Sequence, residues 1–140
     1  MNRHAEYPWW RQAVIYQIYP KSFQDSGARG TGDLNGVIQR LDYLQQLGVD
    51  ALWLTPIYVS PQIDNGYDVA DYTAIDPAYG TMADFDLLLA ETHRRGMRMV
   101  LDMVFNHTST EHAWFKRAEA GEQPYVDFYI WRDGVPGTPP

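Results

Sequence analysis

A chain of 140 residues, 45% hydrophobic and 14% aromatic, can bury one ordinary globular core. Its net charge of −7 argues against nucleic acid or an anionic membrane as partner, and the absence of cysteine excludes disulfides and thiolate metal sites. No apolar run approaches the roughly 20 residues of a membrane span, and "MNRHAEYPWWRQ" lacks the apolar core of a secretory signal, so a cytoplasmic protein is expected.

In chain order, "AVIYQIY" from Ala13 to Tyr19 is β-branched and aromatic and predicts a strand closed by Pro20. A glycine-rich loop follows. Leu34, Val37, Ile38, Leu41 and Leu44 then recur at spacings of three and four, one face of a helix that Gly48 stops. "VDALWLTPIY" is the next strand, limited by Pro56, and a long loop covers roughly 59–80. Thr81 is an N-cap with Asp84 in the first turn, and Phe85, Leu88 and Leu89 form the stripe of a second helix ended by Gly96. "MRMVLDMVF" is the third strand. Thr108 and Glu111 have capping-box spacing for a short helix to about Ala120, "YVDFYIW" predicts another strand, and "RDGVPGTPP" is turn material.

The junctions "LGVDALWL" and "RGMRMVLD" are alike: a helix end, a glycine, then a nearly continuous apolar strand of the kind buried on both faces. Alternation of strand and helix predicts parallel strands, in an open doubly wound sheet or in the first part of an eight-stranded (β/α) barrel. No phosphate loop or G-x-G-x-x-G opens either helix. Polar residues gather instead after the strands, at Lys21, Thr55 and Asn106-His107, where barrels keep their sites.

No Lys or Arg lies between Arg40 and Arg94, while acids run through that interval from Asp50 to Glu91. This is either a solvated acidic face or a surface suited to a neutral polar or cationic ligand. Within it, "DNGYD" from Asp64 to Asp68 brackets a tyrosine with two acids. Such a ring can stack on a sugar while a carboxylate accepts from its hydroxyls; equally, Asn-Gly can be a turn with solvated acids. In "DMVFNHTS", Asp102 interrupts an apolar strand and His107 follows its end. His107 is a ligand donor, a metal ligand or a satisfied polar residue. His112, five positions on, is a weak zinc signal, and His4 and His93 have no partners in sequence. Asn106-His107-Thr108 matches a glycosylation acceptor that should be silent in a cytoplasmic protein. "DSGARGTGD" has Asp at each end like a calcium loop, but its alternate positions offer Gly27, Arg29 and Thr31, and Arg29 would put a positive charge where the ion should sit, so no metal is expected there. No G-x-S-x-G, H-E-x-x-H or active cysteine is present.

Four collinear stretches resemble one family: "VIYQIYPKSFQDS", "GVDALWLTPIYVSP", "DNGYDVADYTAIDPAYGT" and "DMVFNHTS" match, in order and spacing, the N-terminal part of glycoside hydrolase family 13, the α-amylase family. Within it, "YPKSFQD" and "SPQIDNGYDVADY" look most like the branch that hydrolyses trehalose 6-phosphate. Oligo-1,6-glucosidases and other exo-acting α-glucosidases are the close alternative, and they often carry Asn and Asp where this chain has Gly27 and Arg29.

The resemblance implies an α/β fold: about three βα units of a (β/α)8 barrel over residues 1–106, and from 107 to 140 the start of a domain inserted after the third strand. It implies that Asp64 binds the terminal hydroxyls of a glucose, Tyr67 stacks on its ring and His107 hydrogen-bonds it. Asp102 would orient an arginine of a later strand, and Asn106 would hold the strand–loop junction. The implied reaction is retaining hydrolysis, which needs two carboxylates about 5 Å apart. In the family these lie on later strands, so no catalytic nucleophile or general acid is expected in this chain. The implied partner is a sugar, with no cofactor and no obligate protein partner. Three parallel strands leave open edges, so the 140-residue chain alone is expected to be inactive, poorly folded and aggregation-prone. The competing reading is a non-catalytic sugar-binding protein on the same scaffold.

Overall fold

The computed structural model describes residues 8–134 and 137. Its centre is a three-stranded parallel sheet of β1 (Ile15–Ile18), β2 (Ala51–Leu54) and β5 (Arg98–Leu101), in the order β1-β2-β5. The register aligns Ile18 with Leu54 and Leu54 with Leu101, so the three strands end level. Alternate side chains face one layer of helices. Ile18, Leu52 and Leu54 pack there with Leu34, Val37, Leu41, Leu44 and Leu88, all essentially buried. Each such aliphatic side chain contributes about 2 kcal/mol of transfer free energy. Only β2 is buried along most of its length; β1 and β5 are edge strands and are more exposed.

A short helix α1 (Pro20–Phe23) follows β1 directly, with Pro20 at its start, so the proline that ends the strand also begins a helix. The predicted helix from Leu34 is two: α2 (Leu34–Gln39) and α3 (Leu41–Leu47), joined at Arg40. The apolar stripe runs through both. Asp33 caps α2 by accepting the Gly36 N–H, and Gly48 ends α3 in a left-handed conformation. Helix α4 (Met82–Arg94) carries the capping box of Thr81 and Asp84.

The stretch expected to be a loop at 59–80 contains an antiparallel hairpin of β3 (Tyr58–Val59) and β4 (Asp71–Ile75), with a register shift between Tyr58 and Val59. Its acids masked the aromatic and β-branched run "DYTAI". The hairpin has its own small core of Tyr58, Val69 and Val104, flanked by Tyr67 and Tyr72.

Two further expectations are corrected near the end. Helix α5 (Ala113–Glu119) is capped by His112, whose Nδ1 accepts the Trp114 N–H, and not by Thr108. The Thr108 hydroxyl is turned instead to the Ser109 carbonyl and the Tyr129 hydroxyl. The segment "YVDFYIW" forms a 3-10 turn over Tyr125–Phe128, not a strand. Among the described residues it pairs with no strand, and it packs its rings on α5: Phe128 against Trp114, and Tyr129 and Trp131 against Phe115. His4 and most of the terminal turn lie outside the described residues.

Candidate functional site

β2 and β5 are neighbours, so the segments leaving their C-terminal ends emerge side by side. Tyr67 lies in the segment after β2, and Asp102 to His107 follow β5. The Tyr67 hydroxyl donates to Asp102 Oδ2 at 3.0 Å. The Tyr67 carbonyl faces His107 Nε2 at 3.0 Å. A carbonyl only accepts, so Nε2 carries the proton; Nδ1 is then the acceptor for the Asn106 side-chain amide at 2.5 Å. Both nitrogens of the exposed His107 ring are therefore engaged by protein, and Asn106 sets its tautomer.

The Tyr67 phenol is pushed above its ordinary value, by burial first and then by the Asp102 carboxylate that accepts from it. Tyr67 is only partly buried, flanking the small core of the hairpin.

Asp64 and Asp68, alike in sequence, have different tasks. Asp64 is exposed, and its carbonyl accepts the Tyr67 N–H at 3.0 Å. Asp68 ties the loop together, accepting from the Ser60 hydroxyl at 2.8 Å and from the N–H groups of Ile63 at 2.9 Å and Asp64 at 3.1 Å. Partial burial would raise the Asp68 carboxyl, but the Ser60, Asp64 and Ile63 donors outweigh it and hold it below the usual range. Asp68 thus takes the turn role that "DNGYD" offers, while the Asp64 side chain stays exposed.

Tyr72 on β4 was not singled out in the sequence. Its hydroxyl spans the carbonyls of Val104 at 2.5 Å and His107 at 2.9 Å, clamping the segment after β5. The signal that could have found it is the aromatic and β-branched run that forms β4. A cleft of about 370 Å³ opens beside His107, lined by Tyr72, Met103, Phe105, Trp114 and Phe128 among others.

The remaining candidates fall elsewhere. Lys21 is an exposed residue of α1. Thr55, at the end of β2, is buried and its hydroxyl has no hydrogen-bond partner. In the glycine-rich loop, Asp25 accepts the N–H groups of Gly27 at 2.9 Å and Gly30 at 2.6 Å, while Arg29 sits 3.2 Å from Asp33. These bonds, that from Gly27 foremost, lower the Asp25 carboxyl. Among the described residues no group of three His, Cys, Asp or Glu is placed to hold a metal, and no helix is long and apolar enough to cross a membrane.

Carboxylate acceptors, a half-open tyrosine ring and a tautomer-fixed histidine at the C-terminal ends of parallel strands form a surface that can recognise a polyol. The family model of the alpha amylase catalytic domain matches residues 17–140. Trehalose-6-phosphate hydrolase of Escherichia coli (strain K12) is 70% identical over 132 residues, 94% of this chain and 24% of the relative. Oligo-1,6-glucosidase of Halalkalibacterium halodurans is 56% identical over 133 residues, again 94% of this chain and 24% of the relative. Among solved structures, Bacillus licheniformis trehalose-6-phosphate hydrolase superposes with a TM-score of 0.89 at 58% identity, covering 93% of this chain and 24% of that one. The chain spans about a quarter of the length of the curated relatives it matches. Its three parallel strands and their helices are the opening part of a (β/α)8 barrel, and the chain belongs to the α-amylase family.

Proposed function

We propose that this chain is the N-terminal part of a retaining α-glucosidase that hydrolyses trehalose 6-phosphate to glucose and glucose 6-phosphate. The observation that carries the reading is the higher identity to trehalose-6-phosphate hydrolases than to oligo-1,6-glucosidases. Residues 1–106 supply barrel strands, and 107–140 begin an inserted domain. Asp64 accepts from the hydroxyls of a glucose ring, Tyr67 stacks on it, and His107 donates to it. For that donation the His107 Nε2–H has to leave the Tyr67 carbonyl or be shared with it. Asp102, held by Tyr67, is free on its second oxygen to orient a cation. The nucleophile and the general acid, about 5 Å apart in a retaining enzyme, come from outside this chain.

The segment 41–93, which carries Asp64 and Tyr67, contains no Lys or Arg, so the cations for a substrate phosphate come from other segments. A phosphorylated sugar carries about −1.5 to −2 charge at neutral pH and does not cross a bilayer unaided, which supports a cytoplasmic location.

The test is to express the whole product of the gene carrying this chain and assay it on trehalose 6-phosphate and isomaltose. Release of glucose and glucose 6-phosphate from the first is the expected result. Preference for isomaltose would favour an oligo-1,6-glucosidase. Sugar binding without cleavage would favour the non-catalytic reading.

A further inference from the structure

The loop between the hairpin strands is wound in a way its sequence does not favour. Among the described non-glycine residues, only Ala28, Gln62 and Asn65 have left-handed φ, at 56°, 62° and 52°. Two of these three flank Asp64, and Gly66 beside them is at 96°. Asn tolerates this region; Gln, with its longer side chain, does so poorly. Such strain persists only where the surroundings impose it.

The surroundings are visible. The Gln62 N–H donates to the Ser60 hydroxyl at 2.9 Å, which itself donates to Asp68 at 2.8 Å. The Gln62 side-chain amide reaches Asp76 Oδ2 at 3.4 Å, the same oxygen that accepts the Ser60 N–H at 3.1 Å. Its other end, Oε1, is buried in the company of the Tyr79 phenol. Asp76 belongs to the turn after β4 and is itself buried. The amide therefore staples the top of the loop to the buried turn after β4. The next residues in the chain, Ile63 and Asp64, give their N–H groups to Asp68, and Asp64 gives its carbonyl to Tyr67. Any turn of the backbone at Gln62 is passed on to Asp64 and Tyr67.

We propose that Gln62 is a positioning residue: its stapled, left-handed backbone aims the Asp64 carboxylate and the Tyr67 ring at the substrate. This rests on the sugar-binding reading of Asp64 and Tyr67 given above. Two variants separate strain from space-filling. Gln62→Met keeps the buried stem and the strained backbone but loses the staple. Gln62→Gly loses the staple and the stem but also relieves the strain.

The experiment compares amide hydrogen exchange at Ile63, Asp64 and Tyr67, and the KM and kcat for trehalose 6-phosphate, in the whole gene product and in both variants. The expected result is loss of protection confined to those amides, larger for Gln62→Met than for Gln62→Gly. KM should rise about tenfold and about threefold respectively, with kcat nearly kept. Unchanged exchange, or Gly more damaging than Met, overturns the proposal, since the second is the mark of a stem that only fills space. A loosened loop with unchanged KM overturns it too. If the unsubstituted protein does not cleave trehalose 6-phosphate, the substrate assignment falls, and the exchange ranking decides the role of Gln62 on its own.

Discussion

The phenol of Tyr67 donates to the carboxylate of Asp102 at 3.0 Å across 35 positions of sequence. That bond joins the loop after β2 to the end of β5 and brings the motifs "DNGYD" and "DMVFNHTS" into one cluster. A hydrogen bond to a charged acceptor contributes about 1.5–3 kcal/mol when well buried. Tyr67 is only partly buried, so Tyr67→Phe should cost about 1 kcal/mol in denaturant unfolding, at the weak end of that range. The ring remains, so sugar affinity should change little. Tyr67→Ala should weaken affinity by about 1–3 kcal/mol if the ring stacks on the sugar. Equal affinities in Phe and Ala variants would make Tyr67 structural.

The same contact can be read from the phenol's titration. Asp102→Asn removes the negative charge that, after burial, holds the Tyr67 proton on. The Tyr67 phenol should then titrate lower than in the unsubstituted protein yet remain above its ordinary value, because burial is unchanged. Tyrosine ring carbon shifts followed against pH in labelled protein would show this. No downward movement would mean the two groups are not bonded in solution.

Acid should loosen α5 through His112. The ring is buried between Tyr72 and Trp114, and its Nδ1 accepts the Trp114 N–H only when neutral. Burial pulls its pKa below the ordinary value, against the pull of Asp71 the other way. A folded-state pKa below the unfolded one means the contribution is present at high pH. It is lost as pH falls below the unfolded value of about 6.5. Thermal midpoints should therefore decline between pH 7.5 and 5.5 more steeply than in His112→Asn, which caps without titrating. Parallel slopes for the two proteins would remove His112 from the acid response.

Gly36 is required by a close approach. A Cβ there would lie 1.8 Å from the Gln24 carbonyl oxygen. That oxygen is backbone and also accepts the Asp33 N–H at 3.1 Å, so it cannot yield alone. Gly36→Ala should cost about 3 kcal/mol, the upper part of the range for overpacking, despite alanine's better helix propensity. A midpoint at or above that of the unsubstituted protein would show that α2 can shift freely off the Gln24 segment.

The 140-residue chain by itself should self-associate. β1 and β5 each pair on one side only, and Phe105 and Ile130 are 79% and 89% exposed. Unpaired edges and exposed apolar side chains recruit further copies. Sedimentation velocity should show concentration-dependent aggregates. A monomer with a cooperative melt would show that three strands suffice.

The βα alternation was legible because it depends on local period. Leu34, Val37, Leu41 and Leu44 recur at helical spacing whatever they pack on, and Thr81 with Asp84 caps α4 with its own backbone. Asp64 and Tyr67 stood out in a predicted loop, and Asp102 and His107 at a strand end, because the family pattern they resemble is local in sequence. What they touch was not legible. The tautomer of His107 and the clamp of Tyr72 depend on β2 lying beside β5, and a single sequence does not record which strands are neighbours. The hairpin was hidden because the acids around "DYTAI" gave that run the composition of a loop. "YVDFYIW" has strand composition, but aromatic packing on α5 decided its form. Local propensity set the order of strands and helices; long-range pairing decided which side chains came together.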